Sequence, residues 1–332
     1  MKPSLDIIIV NWNGGKDLAA CLESVCATSP NGFDLKRVVI VDNDSSDRSV
    51  ANLHSPDLPL TLIQNHENRG FAAAANQGAR GSLADYLLFL NPDCRLLPDS
   101  LRIPVQFLEE PVNRGVGICG VQLLDEKHNV SRSCSFFPTP SSFFVHILGL
   151  DRIFPKQFKG YFLSLQDHLK SGPVDQVMGA FLLVRSKIFE TLRGFDERFF
   201  VYFEDLDFSY RANQDGWRSY HLASAQASHR GGGCTERVKA RRLYYSLSSR
   251  ILYSYKHFGR AAATAVMLGT VLLEPVSRLV LAATHKSVRE MKETLQAYRM
   301  LWRALPSLLR NRASKDTYHD VSPKAVRSIS AE

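Results

Sequence analysis

Along the first hundred residues, short unbroken apolar runs alternate with amphipathic stretches. Ile7, Ile8, Ile9 and Val10 form one run, and a helical 3.6-residue pattern follows over 16–26. Val38, Val39, Ile40 and Val41 make a second run and residues 60–64 a third. An alanine-rich helical stretch at 70–80 precedes a fourth, Tyr86-Leu87-Leu88-Phe89-Leu90. Strands apolar at every position are buried on both faces, which predicts an α/β fold with a mostly parallel sheet flanked by helices. Ligands bind such sheets where loops leave the carboxyl ends of the strands. The polar segments 11–14, 42–47 and 91–93 each follow a strand directly.

Beyond residue 115 the pattern changes. Residues 115–124 and 129–136 predict strands around a turn, 138–172 is loop-rich, 174–184 returns to strand character, and 205–214 predicts a helix. Gly115-Val116-Gly117-Ile118-Cys119-Gly120 matches GxGxxG, but no strand precedes it and no helix follows. It therefore lacks the context of a dinucleotide fingerprint, and close backbone packing explains the glycines. From 236 to 312 the chain reads as basic and helical, and the 313–332 tail is expected to be disordered.

In that extension Val288, Met291, Leu295, Tyr298, Trp302, Leu305 and Leu309 recur at alternating spacings of three and four, an apolar helical stripe. Arg289, Lys292, Arg299 and Arg303 lie off it. This suits a helix resting on an anionic membrane, while packing on the main body or on a second subunit is the plainer reading. Pro306 is expected to kink or end the helix. The longest charge-free apolar stretch, 261–273, would span about 20 Å as a helix against a hydrocarbon core of roughly 30 Å, so no conventional spanning helix is expected.

Charge sharpens this division. The net charge of +8 hides a body, residues 1–235, with 23 Lys/Arg against 26 Asp/Glu, and a 236–312 segment with 15 against 4. Arg237, Lys239, Arg241 and Arg242 precede Tyr244-Tyr245, yet no nucleic-acid-binding fold accompanies them, so nucleic acid is not an expected partner. Six cysteines without a CxxC pair predict reduced thiols in the cytoplasm rather than a zinc or disulfide framework.

Candidate chemistry gathers in five places. Asp42 ends a strand, where a carboxylate points into the ligand crevice, although Ser45, Ser46 and Asp47 also suit a helix N-cap. Arg69 and Gly70 open the small-residue helix that carries Asn76; tight packing is the simpler account of that face. Asn91-Pro92-Asp93 puts a carboxylate past a buried strand, fit for Mg2+ or Mn2+ together with substrate phosphate oxygens. Glu204, Asp205 and Asp207 follow a run of aromatics. They read either as acids favoured at a helix N-terminus or as a general base in an apolar-walled cleft. His229 and Arg230 precede a glycine run.

Taken in order, Ile9-Val10-Asn11-Trp12-Asn13, Val41-Asp42-Asn43, Asn68-Arg69-Gly70-Phe71, Asn91-Pro92-Asp93 and Phe203-Glu204-Asp205 followed by His229 resemble glycosyltransferase family 2 over about residues 4–235. The opening motif and the Phe-Glu-Asp-Leu-Asp acids look most like its rhamnosyltransferase branch. The resemblance implies an inverting, metal-dependent enzyme with a GT-A, Rossmann-like catalytic domain over 1–235. Residues 1–115 would bind donor, and 116–235 would form the acceptor side, its pocket lying within 130–172.

It further implies donor contacts from Asn11, Asn13, Asp42, Arg69, Asn76 and Asn91, with Asp42 on the base. Metal ligation would come from Asp93 and His229, catalysis from Asp205 as base with Glu204 beside it, and a supporting role from Asp207. One carboxylate is missing from the family's Asp-x-Asp, since Asn91 stands first. The implied reaction moves a sugar, rhamnose from dTDP-rhamnose foremost, onto a lipid-linked or polysaccharide acceptor in cell-surface glycan biosynthesis. The implied location is peripheral, on the cytoplasmic face of the inner membrane, with a homodimer as a candidate assembly. Two other classes stay open: a metal-dependent nucleotidyltransferase, which would release pyrophosphate, and a non-catalytic nucleotide-sugar-binding module, against which the intact Glu204-Asp205 pair argues.

Overall fold

The computed structural model describes residues 2–28, 31–51, 53, 57–231, 238–311 and 326–328. In chain order the strands are β1 (Ser4–Asn11), β2 (Asp34–Asn43), β3 (Leu60–Asn65), β4 (Tyr86–Leu90), β5 (Cys94–Leu96), β6 (Val116–Leu124), β7 (Cys134–Ser135), β8 (Gly172–Val174), β9 (Gln176–Val177), β10 (Phe181–Arg185), β11 (Arg218–His229) and β12 (Val326–Ser328). The helices are α1 (Gly15–Cys26), α2 (Phe71–Ala79), α3 (Arg102–Glu109), α4 (Pro140–Ile147), α5 (Leu150–Ile153), α6 (Ser186–Thr191), α7 (Glu204–Gln214), α8 (Lys239–His257), α9 (Arg260–Leu268), α10 (Glu274–Thr284) and α11 (Val288–Asn311).

The main sheet runs β12-β3-β2-β1-β4-β10-β6-β11-β5, with β8 also on β11. The β3-β2-β1-β4 block is parallel, β10 joins β4 and β6 antiparallel, and β6 pairs parallel with β11. Alternate residues feed two cores. Ile7, Ile9, Val38 and Ile40 pack on the α1 and α3 side, while Ile8, Val10, Val39 and Val41 pack against the alanines of α2. Burial on both faces is what an unbroken apolar strand signals.

The small residues of α2 serve that contact. A Cβ at Gly78 would lie 2.6 Å from Ile8 Cγ2 and 3.0 Å from Val41 Cγ2, so the helix sits closer to the sheet than a larger residue permits. The GxGxxG segment lies in and just before central strand β6. A Cβ at Gly117 would meet Ile188 at 2.3 Å, and one at Gly120 would meet Val177 at 2.8 Å. These glycines admit neighbours to the sheet.

Several segments depart from the sequence reading or lie outside it. Residues 218–229 form the twelve-residue strand β11 although Ala and Ser dominate its second half; pairing with β6 and β5 overrides a weak local preference. Within 174–184 the chain breaks between β9 and β10 to bring the Gly179 N–H beneath α7. Of 129–136, only Cys134–Ser135 is strand, with an isolated bridge at Val130. Three residues of the tail expected to be disordered, β12, pair with β3.

The C-terminal helices also differ. Arg260–Thr284 is one continuous helix of 25 residues, long and apolar enough to cross a membrane by length and composition, its most apolar 18-residue stretch having mean hydropathy 1.7 with 44% of that stretch buried in the protein. The run does not stop at Glu274 because that carboxylate is 1% exposed, paired with buried Arg250 at 2.5 Å and with Arg278 at 2.8 Å. Within it Gly269–Leu273 forms a π-helical turn, closed by Glu274 N–H on Gly269 O. The helix α11 continues through Pro306 to Asn311. Its buried side carries Thr294, Ala297, Tyr298 and Leu301, while Val288, Leu295 and Trp302 of the expected stripe stay exposed.

Replacing Gly78 by Ala overpacks the α2–sheet contact and costs about 1–3 kcal/mol; the urea midpoint measures it.

Candidate active site

Strand ends and loops meet around a cavity of about 1120 Å3. Its floor is laid by β1, β2 and β4 through Val10, Asn43 and Asn91. Asp93 and His229 stand on one side, and Glu204, Asp205, Gln176 and Gly179 on another. The first turn of α8 adds Lys239, Arg241 and Arg242, and Arg132 also lines the cavity.

Asp93 and His229 are 136 positions apart in sequence. They meet because β5 pairs antiparallel with the end of β11, putting Cys94 opposite His229. The His229 Nε2 lies 3.3 Å from Asp93 Oδ1. Together with Cys94 Sγ these ligand atoms fall within 4.8 Å of one another. The Cys94 thiol donates to Ala180 O at 3.2 Å, and burial followed by the Asp93 charge pushes its pKa well up. It stays a thiol and is no ligand for a hard cation. One carboxylate and one imidazole fit Mg2+ or Mn2+ whose remaining positions are filled by phosphate oxygens and water.

On the other side, α7 begins abruptly. Tyr202 and Phe203 both adopt left-handed backbone conformations (φ 67° and 70°), uncommon for large side chains. The loop is held by Phe71 N–H on Phe200 O at 2.6 Å. Gly70 permits this approach at φ 81°, since a Cβ there would lie 2.3 Å from Phe200 O.

The turn delivers three carboxylates into different surroundings. Asp205 Oδ2 accepts from Gly179 N at 2.8 Å and Gln176 Nε2 at 3.0 Å, and Oδ1 from Leu206 N at 2.7 Å. Burial outweighs these donors and raises its pKa. Glu204 is 6% exposed, and among the described residues its Oε2 has no hydrogen-bond partner. Burial first, then the Asp205 charge, puts it well above the ordinary range.

Asp207 points away from the cavity and is completely buried. It accepts from Arg211 Nε at 2.8 Å and His257 Nε2 at 2.7 Å, with Lys256 Nζ at 2.9 Å. Burial pushes Asp207 up, but His257, Arg211 and Lys256 together hold it below the ordinary value. Lys256 also reaches Asp196 at 2.6 Å, and Arg211 donates to Leu192 O and Gly194 O. The α8 helix thus braces the start of α7. This support was invisible in the sequence, because Lys256 and His257 carry no local motif.

The structure sorts the other expected residues. Asn91 lines the cavity, whereas Asn11, Asn13, Asp42, Arg69 and Asn76 are not among its lining residues. Asn11 Nδ2 bonds Asp42 Oδ1 (2.9 Å), Ser45 and Ser49, and Ser45 Oγ also donates to Asp42 (2.6 Å), so both side chains clamp the loop after β2. Asn13 Oδ1 accepts from Ser46 N. Asn76 is held by Phe195, from N and to O, and by Glu197, tying α2 to the loop before α7. The Arg69 N–H donates to Asn43. In this structure the bonds of these five build the loops beside the cavity, and Asn43 and Asn68 are among the residues that line it. Gln176 and Gly179 were missed because they act through a strand break that has no sequence signature.

Removing the Asp207 charge with Asp207→Asn leaves Arg211 without its anion and Lys256 with Asp196 alone, and costs about 3 kcal/mol, read as a lower urea midpoint.

Comparison with known proteins supplies the context for this geometry. The model of the glycosyl transferase family 2 matches residues 6–193. The N-acetylglucosaminyl-diphospho-decaprenol L-rhamnosyltransferase of Mycobacterium tuberculosis is 26% identical over 310 residues, covering 88% of this chain and 97% of that protein. Rhamnosyltransferase WbbL of Escherichia coli is 29% identical over 167 residues, 49% of this chain and 59% of that one. An uncharacterized glycosyltransferase of Haemophilus influenzae is 36% identical over 109 residues, a match spanning 36% of its length and 33% of this chain.

Among solved structures, the mannosyltransferase PcManGT from Pyrobaculum calidifontis, in complex with GDP-Man and Mn2+, aligns with TM-score 0.52 at 18% identity over 94% of this chain and 86% of its own. GalNAc-T7 with UDP, GalNAc and Mn2+ aligns with TM-score 0.53 at 14% identity over 92% and 58%. At such identities the likeness is one of fold.

Proposed function

The chain belongs to glycosyl transferase family 2 and has a GT-A-like fold, and on that premise we propose that it transfers a sugar, with inversion, from a nucleoside-diphosphate donor to a lipid-linked glycan acceptor. The observation that carries this reading is the single cavity shared by Asp93, His229, Glu204 and Asp205. Rhamnose from dTDP-rhamnose is the proposed donor sugar, supported by the two rhamnosyltransferase relatives. The named acceptor of the mycobacterial relative, a diphospho-lipid, supports an acceptor of that kind. Arg132, and Lys239, Arg241 and Arg242 of α8, line the cavity and offer cations to its phosphates.

In this reading Asp93 and His229 hold a Mg2+ or Mn2+ ion. Such an ion would offset the charge that gathers on the leaving diphosphate. Asn68 and Asn91 line the donor side, and the Asn11–Asp42–Ser45 clamp keeps the loop after β2 in shape. The acceptor hydroxyl oxygen attacks the anomeric carbon as the bond to the diphosphate breaks, and Asp205 takes the hydroxyl proton. Displacement is direct, so the anomeric centre inverts. Gly179 and Gln176 fix the direction of the Asp205 carboxylate. The cationic extension supports a reaction at the cytoplasmic face of a membrane, by a peripheral enzyme of cell-surface glycan assembly.

Asp205→Asn retains donor binding by calorimetry and lowers transfer by roughly a hundredfold to ten-thousandfold; near-normal turnover overturns the assignment. Screening dTDP-rhamnose, UDP-sugars and GDP-sugars with Mg2+ or Mn2+ identifies the donor. Transfer requires ionised Asp205, so the rate falls as pH drops through its raised pKa. The acid limb then lies above the roughly pH 4 of an ordinary carboxylate. Gln176→Leu removes a hydrogen bond that favours the ionised form, and a kcat–pH profile shows the limb moving further up.

A further inference from the structure

The exposed apolar surface does not lie where the α11 stripe would put it. On the Arg260–Thr284 helix, Leu268 (47% exposed), Leu272 (60%), Val276 (59%) and Val280 (59%) stand four residues apart and form one row. A second group follows α4, where Ile153 (59%), Phe154 (48%) and Phe158 (40%) are exposed among Arg152, Lys156 and Lys159.

The two groups lie on neighbouring elements. Ser277 Oγ donates to Ile147 O at 2.6 Å, and the Phe144 and Ile147 side chains pack over Gly269. Arg152 is close enough to Arg278 for each to feel the other's charge. The acids of these segments are already engaged, Glu274 by Arg250 and Asp151 by His146. The face is therefore aliphatic and aromatic, with cations and no uncommitted carboxylate.

We propose that this face, built from the exposed row of the 260–284 helix and the 152–159 segment, lies flat on an anionic phospholipid bilayer with its apolar side chains among the headgroups. The inference deepens the membrane-surface reading above and rests on it. Charge decides the occupant. A second copy docking through the same face would bring Lys156, Lys159 and Arg152 against their own kind, and burying such charges unpaired is costly. Phosphatidylglycerol headgroups neutralise them while Phe154, Phe158 and the leucine–valine row leave water, the pairing that holds interfacial helices. The helix lies along the surface: its other side is committed to the protein through Val266, Val271 and the Arg250–Glu274 pair.

Vesicle flotation of the purified full chain tests this, using phosphatidylglycerol–phosphatidylcholine and pure phosphatidylcholine vesicles. The wild type floats with the anionic vesicles, and Leu272→Asp/Val276→Asp and Lys156→Glu/Lys159→Glu each weaken binding by about tenfold or more. Leu295→Asp on α11 leaves binding unchanged. Donor hydrolysis in detergent-free buffer stays at the wild-type level in all of them, which shows that they fold. Wild-type protein that ignores anionic vesicles overturns the proposal. So do variants that bind as wild type, a dimer lost with the same substitutions, or retention in membranes through an alkaline carbonate wash. Vesicle binding as expected without any sugar transfer would instead overturn the enzymatic reading and leave this surface standing.

Discussion

Three carboxylates in one buried helical turn repel one another, and the way that repulsion is settled shapes the rest of the molecule. Asp207 is neutralised by Arg211, Lys256 and His257, two of which come from the far end of α8. With that charge absorbed, Glu204 and Asp205 remain on the cavity side, raised in pKa by burial, and Asp205 is directed by Gly179 and Gln176. The C-terminal helices are thus part of the frame of the cavity. Buried networks of this kind hold position at a cost in desolvation that only complete pairing offsets.

The Asp93 and His229 side is organised differently. Asp93 and His229 are joined by backbone pairing at the edge of the sheet, with three β5 residues opposite the end of β11. Precision there comes from strand register, while precision at α7 comes from an ion network and from two left-handed residues locked by Phe200 against Gly70. The cavity lies between two supports with unlike mechanical origins, one in the sheet and one in the helical extension.

Much of this was legible in the chain. The β1 to β4 block announced itself because each strand is apolar on both faces, and Asp93, Glu204, Asp205 and His229, singled out by their positions after strands and beside aromatics, all line one cavity. What stayed hidden depends on long-range pairing. Strand β11 is too rich in Ala and Ser to signal itself, and Gln176 and Gly179 sit in a break between strands. Lys256 and His257 look like any basic helix end. The loop bonds of Asn11, Asp42 and Asn76 were hidden for another reason: short polar side chains next to a crevice suit loop clamps as well as ligand contacts. Glu274 misled as a break in an apolar run, because the cation that buries it lies 24 residues earlier.

The π-helical turn at Gly269–Leu273 has a geometric consequence of its own. Four residues overshoot one α-helical turn of 3.6 residues, so a row spaced by four winds steadily around an ordinary helix. A turn closed by i→i+5 bonds is wider and undershoots in the same span. Placed in the middle of the helix, it unwinds part of that drift and holds Leu268, Leu272, Val276 and Val280 nearer to a straight line, while Trp302 Nε1 bonds the Val271 carbonyl on the opposite flank. The alignment of an entire surface is in this sense an outcome of chain length, set by one residue more than an unbroken α-helix would need.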